Sequence, residues 1–343
     1  MELVGKRYER TIRDPYGQIA HGVASPHRYV NIEVTEQQLM RPTRVLLDTK
    51  DLIDAVEREA PLPRSDLGRE LREHNAQIVL TFTNVREFAA PLTHGADILQ
   101  VRWLLQQIEN LPICYIDENS IMKLEITEAV AAFREQREVC VPDPYVQRFD
   151  GVVSSIGPMP TRVLVNQRLD DLVFLLWRAK PNLLRPFSSL SSVFRGGIQT
   201  NRKIPAARLA VTQPRLAALI RQQAEHWKVS LASDDSDRFF KWVFENPARC
   251  PTARYQCELY LAMVRNSTNM VKGNDLADLA QTWTIPYVDL ITVDRRISGY
   301  CAQVNRRLEK VNPTLGYTRR FVSSVSDVLL RLKSHHETEH RFT

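Results

Sequence analysis

Acidic residues stand at or just after the ends of several apolar segments of this chain. Asp48, Glu87 and Asp294 each hold such a position, and Asp275 and Asp278 lie three residues apart. Residues three apart on a helix point to the same side, so Asp275 and Asp278 can face one spot. Carboxylates placed past the carboxyl ends of parallel strands meet in one crevice, where a divalent cation can hold them together. These five acids are therefore candidate metal ligands.

The segment around Asp48 has the order strand, acid, helix. Residues 44–55 predict a buried strand that stops at Asp48 and continues as a helix. Thr49 or Asp51 is the predicted N-cap of that helix, because both side chains carry an oxygen that accepts a backbone hydrogen bond.

Two later segments repeat this order. Residues 77–83 predict a strand, and Asn84 precedes a helix that carries Glu87 in its first turn. Residues 285–294 predict a strand that begins near Pro286 and ends at an acid. Strands that alternate with helices in this way are typical of an α/β protein with a doubly wound parallel sheet.

Two motifs of the chain resemble those of the PIN-like nuclease superfamily. Leu47–Asp54 is similar to the first family motif, in which an apolar residue precedes Asp-Thr-Asn, and Ile291–Asp294 is similar to the last, a strand that ends Thr-x-Asp. The resemblance covers residues 44–120 and 255–305. It implies a three-layer α/β/α sandwich with a central parallel sheet, whose acids bind Mg²⁺ or Mn²⁺ and hydrolyse phosphodiester bonds, most often in RNA.

The family motifs assign roles to particular acids of this chain. By this resemblance Asp48 is the first metal-binding acid, Glu87 the second, Asp275 or Asp278 the third and Asp294 the fourth. The same side chains have a plainer interpretation: Asp48 and Asp294 are ordinary helix N-caps, Glu87 complements a helix dipole, and Asp275 and Asp278 form a solvated face. As a set we interpret them as a catalytic site.

Lys50 departs from the family motif, which has Asn after Asp-Thr. A cation at this place binds a phosphate, or it takes the place of the metal and silences the site. The first alternative predicts an active nuclease in which Lys50 or Arg295 steadies the phosphate. The second predicts a protein that keeps the fold and binds nucleic acid without cutting it.

A basic block without acids predicts a polyanionic partner. Residues 172–224 contain no Asp or Glu, and Arg195, Arg202 and Lys203 lie in its loop-like middle. Nucleic acids bind to such blocks of positive charge, and the resemblance favours RNA over DNA. A basic surface paired with the acidic stretches 118–138 or 234–237 is the other interpretation.

Composition limits the classes of protein to which the chain can belong. Its 343 residues are 43% hydrophobic and 25% charged, with a formal net charge of +6, enough for a sizeable core. No apolar run reaches the roughly 20 residues that span a bilayer, and residues 1–8 lack the apolar core of a signal peptide. We therefore expect a cytoplasmic protein without a membrane partner. Five scattered cysteines predict reduced thiols, and the Gly-rich motifs of P-loop and Rossmann sites are missing from the sequence.

The predicted organisation interrupts an α/β core with helices. Residues 1–43 are predicted to form an N-terminal lead-in and residues 44–140 a first part of the core. A helical basic region follows as insertion or cap at 141–250, then a second part of the core at 251–310 and a C-terminal helix and tail at 311–343. Glu125 and Glu128 are predicted to face solvent on a helix within the first part. Glu258 is a weak further candidate ligand, and Asp289 is an acid that the family pattern does not require.

Together these features predict a metal-dependent endoribonuclease. The superfamily suggests a toxin-like or antiviral-defence effector, with an inhibitory or activating protein partner, and leaves self-association into a homo-oligomer open. The alternatives are the silenced nucleic-acid-binding protein and an interaction scaffold that uses the helical region for protein contacts.

Overall fold

The computed structural model describes residues 41–58, 66–116, 120–146, 168–178, 212–231, 236–265 and 279–339. The chain divides into two compact units, residues 1–41 and Pro42–Thr343, and the described residues from Pro42 onward belong to the second. Within the described ranges, no helix has the length and apolar character needed to cross a membrane.

The centre of the unit is a mostly parallel sheet of five strands. In spatial order these are β4, β3, β2, β1 and β5, and β1, β2, β3 and β5 run parallel while β4 is antiparallel to β3. Their bounds are β1 Thr43–Leu46, β2 Ala76–Thr81, β3 Ile113–Ile116, β4 Tyr145–Val146 and β5 Leu290–Ile291. The prediction of an α/β protein with a parallel sheet is confirmed at this level.

The helices follow the strands in the predicted alternation. In chain order they are α1 Thr49–Arg58, α2 Asp66–Glu73, α3 Phe82–Thr93, α4 Ile98–Glu109, α5 Ile121–Arg134, α6 Leu169–Arg178, α7 Gln213–His226, α8 Ser236–Glu245, α9 Pro251–Arg265, α10 Arg295–Val311 and α11 Val325–Glu339. Short 3₁₀ turns lie at Pro247–Arg249, Thr282–Thr284, Pro313–Leu315 and Tyr317–Arg320.

Alternating side chains of the strands pack into two separate hydrophobic cores. Val45 of β1 and Ile78 and Leu80 of β2 point to one face, where they pack with α1, α2, α3, α4, α6 and α11. Leu46 and Val79 point to the opposite face and pack with α9 and α10. Helices thus cover both faces of the sheet, an arrangement compatible with an α/β sandwich.

A third core lies among helices alone. Buried residues of α5, α7, α8 and the first turn of α9 form it, including Ile126, Ile220 and Phe240. By contrast, α6 packs on the first face of the sheet, where Trp177 Nε1 donates to the Leu92 carbonyl at 3.1 Å. Among the described helices between residues 141 and 250, α7 and α8 therefore form the separate helical layer, whereas α6 packs against the sheet.

Two predicted boundaries differ from the structure. Helix α3 begins at Phe82, because Thr81 and Asn84 form a capping box that starts the helix within the predicted strand, and this puts Glu87 in the second turn. β5 is limited to Leu290–Ile291, since residues 282–287 form a 3₁₀ helix and turns before it.

Candidate functional site

Three of the predicted acids lie at the carboxyl edge of the sheet. Asp48 follows β1, Glu87 lies on α3 after β2, and Asp294 follows β5. Because β1 lies between β2 and β5, Asp48 occupies the centre of the three. This edge is where open α/β sheets bind their ligands.

Asp48 is fixed by a contact between the ends of two strands. Its backbone N–H donates to Thr292 Oγ1 at 2.8 Å, and the N–H of Thr292 donates to the Leu46 carbonyl at 3.0 Å. Thr292 is buried. The contact continues the pairing of β1 with β5 by one step beyond the strands, so the backbone at Asp48 is held while its half-buried side chain reaches the edge.

Glu87 is oriented by a chain of buried hydrogen bonds. The Thr49 hydroxyl donates to Glu87 Oε2 and accepts from Asn84 Nδ2 at 2.9 Å. Asn84 Oδ1 in turn accepts from both the N–H and the hydroxyl of Thr81 at 2.8 Å. These hydrogen bonds link Thr81, Asn84 and Thr49 to Glu87, and the network holds one carboxylate oxygen of Glu87 in place.

The pKa values of Asp48 and Glu87 depend on the charges of neighbouring carboxylates. Burial raises the pKa of Asp48, and the negative charges of Asp51 and Asp294 raise it further, against the lowering effects of the Thr49 N–H and the Lys50 charge. Burial also raises the pKa of Glu87, and the Asp48 charge adds to this, although the Thr49 hydrogen bond and the Arg86 charge oppose it. Asp48 therefore links the three acids into one group, because like charges close together disfavour ionisation.

Asp51 is a member of this group that the sequence motifs did not select. It lies in the first turn of α1, three residues after Asp48, and its charge acts on Asp48 more strongly than that of Asp294. Its position three residues after Asp48, on a predicted helix, is the sequence feature that could have identified Asp51.

The helix-cap interpretation also holds in part. Asp294 is the N-cap of α10, where its carboxylate accepts from the Arg296 N–H at 2.7 Å. Asp48 directly precedes α1 and its carbonyl accepts from the Leu52 N–H at 3.0 Å, whereas Thr49 and Asp51 lie within the helix. A cap uses only some of the lone pairs of a carboxylate, so capping leaves oxygens of Asp48 and Asp294 able to bind a further ligand.

The donors at the edge suit a hard cation, but they do not form a closed cage. All three acids offer oxygen, the ligand that Mg²⁺ and Mn²⁺ prefer. Among the residues that the structure describes, none of the three forms an ion pair with Lys or Arg, and no three His, Cys, Asp or Glu side chains are grouped closely enough to hold a metal ion. Asp275 and Asp278, the predicted third ligand, lie outside the described residues.

The predicted phosphate-binding cations fall into two groups. Lys50 and Arg295 are exposed in the first turns of α1 and α10, beside the acids that precede those helices. Helix N-termini carry partial positive charge, and α1, α3 and α10 all begin at this edge. Arg195, Arg202 and Lys203 lie outside the described residues.

The other acids named from the sequence serve different contacts. Asp289 accepts from the Arg44 N–H at 2.8 Å, at the end of β1 away from Asp48. Glu258 is buried and forms ion pairs with Arg254 and Arg307, each at 3.2 Å. Glu128 accepts from the Cys140 N–H at 2.8 Å. These contacts stabilise the fold and lie apart from the acid group.

The prediction that Glu125 faces solvent is wrong. Its side chain is fully buried between α5, the start of α9 and the segment before β5, where it accepts from Tyr287 Oη at 2.7 Å and from Thr252 N at 2.9 Å. Burial raises its pKa from the ordinary 4.5 to about 7. Its partners lie 127 and 162 residues away along the chain, so no local pattern could reveal them.

Comparisons of the chain with protein-family models, with curated proteins and with solved structures found no match.

Proposed function

We propose that this chain is a PIN-like, metal-dependent endonuclease that hydrolyses phosphodiester bonds, with RNA as its preferred substrate. The observation that carries the proposal is the group formed by Asp48, Glu87 and Asp294. These carboxylates follow three adjacent parallel strands and form no ion pair with Lys or Arg within the described residues, although the charges of Lys50 and Arg86 partly offset those of Asp48 and Glu87. Asp48 and Glu87 are partly buried and the Asp48 charge disfavours the ionisation of Glu87, a cost that a divalent cation would reduce.

The metal-binding part of the proposal assigns the ion to oxygen ligands alone. Asp48, Glu87 and Asp294 would have to move closer together to hold Mg²⁺ or Mn²⁺, because within the described residues they are not grouped as a metal site, and Asp275 or Asp278 would be the further ligand. The bound ion would supply an activated water and offset the charge that develops on the phosphate oxygens. Its charge would also lower the pKa of Asp48 and Glu87, against the raising effect of burial.

The protein's own residues would position the acids and the substrate. The Asn84–Thr49 hydrogen bond orients Glu87, and Thr292 fixes the backbone of Asp48. Lys50 and Arg295 flank the acids with exposed cations, and a substrate phosphate there would gain from the adjacent helix N-termini as well. The site would thus attract the phosphate while these contacts keep Glu87 and the backbone of Asp48 in place.

The nucleic-acid part of the proposal depends on charge along the chain. The acid-free segment 172–224, with Arg195, Arg202 and Lys203, would bind the strand on either side of the scissile bond. We therefore expect binding to weaken steeply as salt concentration rises.

Cleavage of labelled single-stranded RNA and DNA in Mn²⁺, Mg²⁺ or EDTA tests the proposal, with the Asp48→Asn variant beside the wild type. We expect metal-dependent cutting of RNA and a loss of more than about 100-fold in the variant, because second-shell changes alone cost 10- to 100-fold. Asp97→Asn is the matched control. Asp97 is also a helix N-cap, accepting from Leu99 N at 2.9 Å, and Asn caps as well as Asp.

The outcomes separate the alternatives. Equal activity of Asp48→Asn and the wild type would remove Asp48 from the mechanism. Salt-sensitive RNA binding without cleavage in any metal would favour the silenced nucleic-acid-binding protein instead.

A further inference from the structure

A cavity of about 350 Å³ lies in the helical layer, among residues that the catalytic proposal does not use. The end of α5, the first turn of α8 and the segment after α7 enclose it. Its volume is at the lower end of the range in which proteins bind small molecules. A ligand of this cavity is therefore small.

One part of the cavity wall is apolar and aromatic. Phe133 and Phe239 meet edge to face, with ring centroids 5.5 Å apart, and Val130 and Leu231 complete this part of the lining. Phe239 and Val130 are buried, whereas Phe133 and Leu231 are partly exposed. A flat ring can replace water against such a wall.

The remaining part of the wall carries positive charge. Arg134 and Arg238 line the cavity together with the amide of Gln136, and the described lining residues include no carboxylate. Arg134 also donates to the Ser230 carbonyl at 3.4 Å. A guanidinium has five N–H donors, so the contact with Ser230 leaves other donors of Arg134 for an anion. Arg238 also has an interaction partner of its own, and an anion would bind beside that contact.

We propose that this cavity binds a nucleotide, with the base against the Phe133 and Phe239 wall and the phosphate on Arg134 and Arg238. A nucleotide combines a flat ring with a phosphate, which matches the two parts of the lining. Gln136, with a donor and an acceptor on one side chain, faces the polar edge of the base. The nucleotide is either a free mononucleotide or one residue of an RNA strand.

This site stands independently of the nuclease proposal. None of its lining residues belongs to the acid group at the sheet edge, and binding is measurable in EDTA, where no metal-dependent cleavage takes place. Nucleotide binding without cleavage would support the cavity alone, and cleavage without nucleotide binding would support the acid group alone.

Calorimetric titration of the full chain in EDTA tests the proposal with four probes: adenosine monophosphate, adenosine, inorganic phosphate and a five-nucleotide RNA. We expect the monophosphate or the RNA to bind more tightly than adenosine or phosphate. Arg134→Gln and Arg238→Gln should each raise the Kd of the tight probe by roughly 10- to 100-fold, the value of a charge-assisted hydrogen bond. Arg306→Gln, an exposed change on α10 away from the lining, should leave the Kd within about twofold.

The pattern of probes identifies the source of the nucleotide. Tight binding of the monophosphate indicates a free nucleotide, and tight binding of the RNA alone indicates a strand. Two results would overturn the proposal: no saturable binding of either probe, or equal affinity in the wild type and the Arg134→Gln/Arg238→Gln double variant. Both arginines are exposed, so circular dichroism should find the variants folded.

Discussion

The buried carboxyl group of Glu125 makes a pH-dependent contribution to stability that one substitution isolates. It accepts hydrogen bonds from the Tyr287 hydroxyl and from the N–H groups of Thr252 and Ala253 at the start of α9. Burial is the main cause that raises its pKa to about 7. The Glu125 charge and burial also raise the pKa of Tyr287, so the phenol stays protonated and continues to donate.

The sign of the effect follows from where the proton is held. Between pH 4.5 and about pH 7 folded Glu125 keeps its proton while the unfolded chain releases it, so stability falls as the pH rises through this range. At 1.36 kcal/mol per pKa unit, the difference between 4.5 and about 7 corresponds to about 3 kcal/mol in total. About 2 to 3 kcal/mol of this is lost between pH 5 and pH 8.

Urea unfolding followed by circular dichroism at a series of pH values measures this contribution. Glu125→Gln has no titrating group at this position, so its stability should fall by about 2 to 3 kcal/mol less than that of the wild type from pH 5 to pH 8. Glu57→Gln, an exposed change of the same kind on α1, should keep the wild-type pH dependence. Parallel curves for the wild type and Glu125→Gln would refute the reasoning, because they would show that Glu125 ionises as readily in the folded protein as in the unfolded one.

Three further substitutions test the packing around the sheet and its edge. Thr49→Val removes the hydroxyl between Asn84 and Glu87 and should lower the free energy of unfolding by about 1 to 3 kcal/mol in urea titrations; no change would show that water replaces it without cost. Leu80→Ala opens a cavity in the fully buried core and should cost about 2 to 5 kcal/mol in the same assay, and a cost below 1 kcal/mol would contradict the packing described for β2. Arg320→Gln removes a guanidinium that donates at 2.8 Å to two backbone carbonyls of the segment before β5, and faster amide exchange of residues 285–291 should follow; unchanged exchange would remove Arg320 from the support of that strand.

The sequence predicted those parts of the fold in which a local pattern decides the outcome. The strand that ends at Asp48 and the helix that follows it match β1 and α1, because the apolar run before Asp48 and the spacing after it form a regular local pattern. The start of α3 differs, since Thr81 and Asn84 cap the helix three residues earlier than the β-like composition of Phe82 and Thr83 indicates. Capping chemistry there outweighs strand propensity.

In the candidate site, too, the positions of the acids could be predicted and their hydrogen bonds could not. The positions of Asp48, Glu87 and Asp294 follow from strand ends, which apolar runs reveal, so their common edge could be predicted. The hydrogen bonds from Thr49 to Glu87 and from Asp48 to Thr292 join residues 38 and 244 positions apart, and no spacing in the sequence specifies them. The burial of Glu125 has the same origin, since distant elements create its environment.

The place of β1 within the sheet also constrains the order in which a newly made chain can fold. β1 can pair with β2 as soon as residue 81 has left the ribosome, but its other edge must wait for β5 and for Thr292, which lies 244 residues after Asp48. During that time one edge of β1 lacks its partner, and unpaired strand edges favour association between chains. The same delay keeps Asp294 away from Asp48 and Glu87 until all the residues between Glu87 and Asp294 have been made. The acid group at the sheet edge is therefore assembled only after Asp294 has left the ribosome.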